Sequence, residues 1–180
     1  EVYTLEIERS LLNVILANQA APDADPPGIR YFAHLEGSKA RPSSVATCCE
    51  SQGTRTYGAL PEFIYSVHDQ PANGTDLYVN LFVPSVFRGA DFTLIQSTSF
   101  PAAGTVALEL SASGGHRSRE TQTVMLRIPA WSVNASTTVT IRRASSGIPV
   151  RTVVGTRGSY TAIELADGDR AETDFGMALA

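Results

Sequence analysis

The chain's two cysteines stand side by side in Thr47-Cys48-Cys49-Glu50. Packing alone gives a second cysteine no reason to sit beside the first, so the adjacency asks for a chemical account. Two neighbouring thiolates can share one soft metal ion, one of them can be an activated nucleophile, or the pair can close a strained vicinal disulfide. A helix beginning near Cys49 would set Cys48 where unpaired backbone N–H groups and the helix dipole favour thiolate over thiol. Zinc would act in the same direction, since a coordinating thiol is deprotonated outright. A zinc site nevertheless takes about four ligands, and the pair supplies half of them. His34, His68, His116 and Glu50 are the local candidates, none at a spacing that specifies a site, and the chain has no Cys-x-x-Cys and no His-x-x-x-His. On the residues alone, a reduced pair without function stands level with a metal site or a nucleophile.

The elements around the pair come in two textures. From Val2 to about Asn18, Val2, Leu5, Leu12, Ile15 and Leu16 recur as on an amphipathic helix. Pro22, Pro26, Pro27 and Gly28 then impose a rigid loop, Ile29 to Glu36 reads as extended, and Gly37 to Thr47 is polar loop. Tyr57, Leu60, Ile64 and Val67 predict a helix from about Cys49 to Ser66, which Pro61 should kink or divide. His68 would then sit near its C-terminus. Past Asp69 the period changes to two, first in Leu77, Val79, Leu81 and Val83. Short runs follow at Phe92 to Thr98, Val106 to Leu110, Val124 to Ile128, Val139 to Arg142, Val150 to Val154 and Tyr160 to Leu165, with a last one near Phe175. The expectation is a mainly β chain: an antiparallel β-sandwich over residues 69–180, preceded by a helical portion over residues 1–68.

Composition narrows the function classes. At 180 residues and 43% hydrophobic, the chain can bury one sizeable core or one domain with an appendage. A net charge of −4 with acids and bases mixed gives no footprint for nucleic acid, and no apolar run approaches a membrane span. Asn73-Gly-Thr and Asn134-Ala-Ser are acceptor triplets for glycosylation and, with a Ser/Thr-rich surface, favour export over a cytoplasmic location. Trp131, the single tryptophan, is read as a core anchor rather than a sugar platform, and Asp167-Gly168-Asp169 as a turn rather than a calcium loop.

Several motifs in order carry a resemblance: Ile7-Glu8-Arg9 with Asn13, Tyr31-Phe32 leading to Leu35-Glu36, Cys48-Cys49, Leu60-Pro61-Glu62-Phe63-Ile64-Tyr65-Ser66, Leu77 through Ser85, and Leu126-Arg127-Ile128-Pro129-Ala130-Trp131. Over Glu1 to about Asp169 the chain resembles the C-terminal part of the bacterial β-L-arabinofuranosidase-like proteins of glycoside hydrolase family 127. That resemblance implies the last helices of an (α/α)6 barrel over residues 1–68, followed by a β-sandwich. It implies that Cys48 is the nucleophile of a retaining hydrolysis and that Cys48 and Cys49 bind zinc. It further implies that Glu8 and Tyr31 line the sugar pocket and that the substrate is an arabinose-containing or related oligosaccharide.

Two departures accompany the resemblance. In the family a Glu-x-Cys supplies the remaining zinc ligands and another glutamate the acid/base, all earlier in the barrel, and this chain has no Glu-x-Cys. In the family's best characterised members the cysteine pair is followed by Pro-Pro-Asn, whereas Glu50-Ser51-Gln52 follows here. The resemblance therefore implies a segment that needs an upstream barrel as partner and is inactive by itself. The alternative is a non-catalytic carbohydrate-binding or structural β-sandwich in which the cysteines are vestigial.

Overall fold

The computed structural model of the chain describes residues 1–20, 28–29, 48–70, 74–112, 121–143 and 146–177. It divides into two compact units, Val2–Phe63 and Ile64–Ala180, with Glu1 belonging to the second.

In the first unit, helix α1 (Val2–Ser10) runs into a π-helical stretch at Leu11–Leu16. The expected helix is present, wound in two ways, but its buried face is not the one expected: Glu8 and Leu11 are buried, whereas Val2 and Leu16 are exposed. Gln19 then bridges antiparallel to Ile29, and the Ala20 N–H donates to the Gly28 carbonyl at 2.7 Å. Helix α2 (Cys48–Ala59) stops before Leu60, and the short helix α3 (Pro61–Ile64) follows. Pro61 explains the break, because it lacks the N–H that would continue α2 yet fits the first position of a new helix. The extended reading of Ile29 to Glu36 and the loop reading of Gly37 to Thr47 lie, beyond Ile29, outside the described residues.

The helical reading to Ser66 needs correction, for Tyr65–Gln70 is a strand, β1. Leu60, Ile64 and Val67 have helical spacing only because they straddle a helix-to-strand junction. His68 accordingly lies exposed on β1 rather than in the last turn of a helix.

The second unit is built of two sheets. One has the order β1-β2-β6-β9, with β2 at Gly74–Val79, β6 at Gln122–Ile128 and β9 at Ser159–Leu165. The other has the order β3-β4-β5-β10-β7-β8. Its strands are β3 (Ser85–Arg88), β4 (Phe92–Thr98), β5 (Thr105–Ala112), β7 (Ser136–Arg143), β8 (Pro149–Thr156) and β10 (Asp169–Asp174). Alternation does the work: Val106, Leu108 and Leu110 point inward from β5, as do Val124, Leu126 and Ile128 from β6, and one buried cluster unites both sheets. Burying such a side chain contributes about 1.5–3 kcal/mol, so this cluster is the main support of the unit.

One pairing departs from an all-antiparallel sandwich, since β2 and β6 run parallel. Parallel neighbours need a crossover, and here β3, β4 and β5 in the opposite sheet supply it. The crossover also explains why β2 ends at Val79 although the period-two pattern runs on to Val83. Leu81 and Phe82 are both buried as the chain leaves one sheet for the other, so the residues there no longer alternate between faces.

Gln96 on β4 satisfies the carbonyls freed by that departure. Its Nε2 donates to Val83 O at 3.0 Å and to Leu81 O at 3.2 Å, with Ser85 Oγ and Tyr65 Oη each at 3.3 Å. Only the NH2 end can face two carbonyls, which fixes the orientation of the amide. Gln96→Glu is therefore expected to cost roughly 3 kcal/mol at neutral pH, because it sets a buried carboxylate against two acceptors. The introduced carboxyl would have its folded pKa raised above its unfolded value. The charge penalty should then vanish below about pH 4, leaving only the cost of one O–H facing two carbonyls, and grow as pH rises. Urea titrations at both pH values check this; a loss independent of pH would contradict the carbonyl contacts.

Other sequence expectations hold in detail. Trp131 packs against the core, stacked on Phe100 with ring centroids 5.2 Å apart and edge-on to the fully buried Phe175 at 5.8 Å. Asp167-Gly168-Asp169 forms the turn into β10: Gly168 has φ +73°, Asp167 accepts from the Ala112 N–H at 2.8 Å, and Asp169 accepts from the Ala166 N–H at 3.0 Å. Arg143 approaches the other oxygen of Asp169 at 3.1 Å. The final strand ends at Asp174, just before Phe175. Among the described residues no helix is long and apolar enough to cross a membrane.

Candidate functional site

Cys48 and Cys49 open helix α2, Cys48 exposed and Cys49 half-buried, and both are free thiols. Their position at a helix start is the one anticipated from the sequence. The first N–H groups of a helix lack intrahelical partners, and the pair occupies those first positions. Within the same turns, Ser51 Oγ donates to Cys48 O at 3.0 Å and Thr54 Oγ1 to Glu50 O at 2.8 Å, binding polar side chains back onto the helix. Burial pushes the Cys49 thiol above its ordinary range, and the hydrogen bond with Cys48 and the charges of Cys48 and Glu50 act in the same direction.

Helix α2 is located by a close contact inside its own unit. Gly53 is buried, one turn past Cys49, and a Cβ there would collide with Cδ1 of Ile29 and lie 3.1 Å from its Cγ2. Ile29 is itself held by the bridge to Gln19. Alanine normally gains about 1 kcal/mol over glycine inside a helix. Gly53→Ala is nevertheless expected to lower the melting temperature of the first unit, and Ile29→Ala in the same chain to restore part of the loss. A simple rise in stability on Gly53→Ala would show that no such contact exists.

The remaining site residues predicted from sequence are placed as follows. Glu8 lies on α1 and is only 4% exposed. Tyr31, His34 and His116 lie outside the described residues. Adjacent thiols are soft donors of the kind zinc accepts, so the pair fits zinc as part of a ligand set. Among the described residues, no three His, Cys, Asp or Glu side chains converge to complete one.

The sandwich carries features the sequence reading missed. Arg127 on β6 is fully buried, its Nε 3.1 Å from Glu1 Oε1, its Nη1 donating to Asn80 O at 2.7 Å, and its guanidinium 5.7 Å over the Phe82 ring. An outward-facing arginine between Leu126 and Ile128 gave no hint of burial. On the outer face of the six-stranded sheet, a groove of about 600 Å³ is crossed by Arg170–Glu172 at 2.8 Å and Arg142–Glu172 at 3.4 Å. The hydrogen bond from Arg170 and the neighbouring guanidinium charges hold the Glu172 carboxyl below its usual range. With Glu109 3.5 Å from Arg170, two partly exposed carboxylates offset two guanidiniums, so these charges contribute little stability and present no unbalanced charge. A smaller pocket sits at one end of the sandwich, beside the β3–β4 turn. Its signal in the sequence was a pair of phenylalanines, Phe87 and Phe92, flanking Gly89-Ala90-Asp91.

Comparison with known proteins adds a family. The model described as "Beta-L-arabinofuranosidase, GH127 middle domain" matches residues 76–177. That span covers most of the sandwich and excludes the cysteine pair. No curated protein matches the chain. Among solved structures, one titled "Glycoside hydrolase" superposes over 96% of this chain with a TM-score of 0.69 at 20% identity. A GH127 beta-L-arabinofuranosidase from Geobacillus Stearothermophilus T6 covers 73% of the chain with a TM-score of 0.52 at 24% identity. A structure titled as a GH127 beta-arabinofuranosidase covers 84% with a TM-score of 0.54 at 23% identity. At these identities the superpositions establish a shared fold. The chain spans 29%, 19% and 24% of the lengths of those three structures. With more than half of its residues matched by the family model, the chain belongs to glycoside hydrolase family 127.

Proposed function

We propose that this chain is a segment of a retaining glycoside hydrolase of the β-L-arabinofuranosidase type, in which Cys48 is the nucleophile and Cys48 and Cys49 are two of the ligands of a zinc ion. The observation that carries the reading is the pair of free thiols side by side at the start of α2, ahead of a sandwich that belongs to the family. A structural role gives no reason for that arrangement.

The reaction is a double displacement at the anomeric carbon. The Cys48 sulfur attacks, forming a C–S bond as the glycosidic C–O bond breaks, and the departing oxygen takes a proton from a general acid. Water then attacks the same carbon, giving up its proton to that group, and the C–S bond breaks to regenerate the thiolate. Two inversions give retention. Zinc, when bound, would keep a coordinated thiol deprotonated. Glu8, buried on α1, and Tyr31 are assigned to the wall of the sugar site. The general acid and the other metal donors are assigned to an (α/α)6 barrel that precedes these residues in the complete enzyme, so residues 1–180 alone are proposed to be inactive.

The test compares two proteins. The complete protein should hydrolyse an arabinofuranoside with retention, and residues 1–180 should show no turnover. Hydrolysis by the short chain would sink the segment reading. Metal analysis supplies a second check: the complete protein should hold one zinc per chain, and Cys49→Ser should weaken zinc binding by roughly a hundredfold or more, because a thiolate donor is lost. Unchanged zinc content at limiting zinc would remove Cys49 from the ligand set.

A second reading is favoured by the fact that the family match covers the sandwich and not the cysteines. In it the chain is a non-catalytic carbohydrate-binding or structural module, and substituting either cysteine changes no activity.

A further inference from the structure

We infer that one end of the sandwich is a second carbohydrate site, a pocket for a single neutral glycosyl unit that is independent of the cysteine pair. There β1, β2 and β6 part from the turn joining β3 to β4 and leave a cavity of about 320 Å³. Small-molecule sites begin at roughly 300 Å³, so the space suits one sugar ring rather than an extended chain. Val67, Phe87 and Phe92 give it apolar surface, and Asp69, Asp91 and Gln122 give it polar groups.

That combination matches the two-sided chemistry of a sugar, which has an apolar C–H face and a rim of hydroxyl groups. The apolar side is preformed. The Phe87 and Phe92 rings are 5.7 Å apart, tilted by 32°, and both pack against the core. Gly89 lies close beside them: a Cβ there would come within 3.2 Å of Phe87 Cε1 and 3.5 Å of Phe92 Cε1. With no side chain at that lining position, nothing from the turn crowds the two rings.

The polar side is oriented too. Asp69 accepts from Thr75 Oγ1 at 2.9 Å, which fixes its carboxylate and leaves the second oxygen as an acceptor. The Gln122 amide donates to Thr75 O at 2.6 Å and to Thr123 O at 2.9 Å, which directs its own carbonyl oxygen elsewhere. Asp91 is exposed at the mouth. Lysine and arginine are absent from the described lining, and both charged groups are carboxylates, so a uronate or a phosphosugar would be repelled. A neutral pentose or hexose is the occupant this chemistry accepts. The inference rests on the reading of the chain as part of a glycan-processing protein, but not on Cys48 as nucleophile.

Titration of the 180-residue chain with L-arabinose and with D-glucose, followed by NMR of the phenylalanine ring protons, tests it. Saturable shifts at Phe87 and Phe92 are expected with at least one of the sugars. Ala90→Arg, at an exposed lining position, should block the mouth and weaken that affinity by roughly tenfold or more without changing the melting temperature. Asp91→Asn should weaken it less, and Cys48→Ala should not alter it. Absence of saturation with both sugars would overturn the inference, as would shifts that survive Ala90→Arg. Binding of tetramethylammonium in place of sugar would also overturn it, by making the pocket a cation site. Sugar binding here alongside an active Cys48→Ser complete protein would refute the nucleophile alone. Its absence alongside an inactive variant would refute the pocket alone.

Discussion

Serine at position 48 of the complete protein should lower kcat on an arabinofuranoside by on the order of 10⁴-fold or more, since the loss of a nucleophile removes the covalent route altogether. A serine hydroxyl has nearly the size of the thiol but is far less acidic and a poor zinc donor. Because Cys48 is exposed, the substitution should leave the melting temperature of the zinc-free protein unchanged, which separates a chemical effect from a folding defect; with zinc bound, the lost donor should lower it. Cys49→Ser should also reduce activity, through the weakened metal site, and excess zinc should recover part of it. Under the same excess Cys48→Ser should recover nothing. That contrast distinguishes a nucleophile from a residue that serves only as a ligand. Equal rescue of both variants would assign both cysteines to metal binding and leave the nucleophile elsewhere.

The largest effect on folding is expected at Arg127. Its side chain is 0% exposed and that of Glu1 is 7% exposed, with 3.1 Å between Nε and Oε1. Removing one member of a buried ion pair costs about 3–5 kcal/mol, because the partner is left charged and uncompensated. Arg127→Met should therefore destabilise the sandwich by that amount in a denaturant titration. Combining it with Glu1→Gln should return a substantial part of the loss, since the stranded charge is removed. Arg127→Lys should also be costly, because one ammonium cannot reproduce the separate Nε contact to Glu1 and Nη1 contact to Asn80 O. If Arg127→Met proved as stable as the parent, the pair would contribute nothing and the buried geometry around β6 would be wrong.

Strand content was readable because a sheet with one buried face forces alternation, which Val106-Leu108-Leu110 shows throughout and Val124-Leu126-Ile128 shows in all but the buried Arg127. The break at Pro61 was readable for an equally local reason, the missing N–H. Where position depended on the rest of the fold, local pattern failed. Strand β1 at the sheet edge has exposed Val67 and His68 and so carries little alternation of burial. The end of β2 at Val79 and its parallel pairing with β6 follow from the crossover through the opposite sheet, a property of topology that no short window contains. Arg127 was invisible for the same reason, since its partners Glu1 and Asn80 are distant in sequence.

The candidate site was legible only in part. Adjacent cysteines at a helix start can be read from sequence because both the residue type and the capping position are local. What completes a metal or sugar site is tertiary, and among the described residues no further metal donors gather. The end pocket was missed because Asp69, Asp91 and Gln122 come together only when the sheets close. The phenylalanines beside them looked like ordinary core residues, which they also are.

The nucleophile assignment is tested most directly by peptide mass spectrometry of the complete protein, acid-quenched during turnover of a slow arabinofuranoside substrate. One pentosyl residue carried on the sulfur of Cys48 is the predicted result. A pentosyl residue on a carboxylate, or steady turnover with no adduct on Cys48 under conditions that trap the intermediate, would contradict the account.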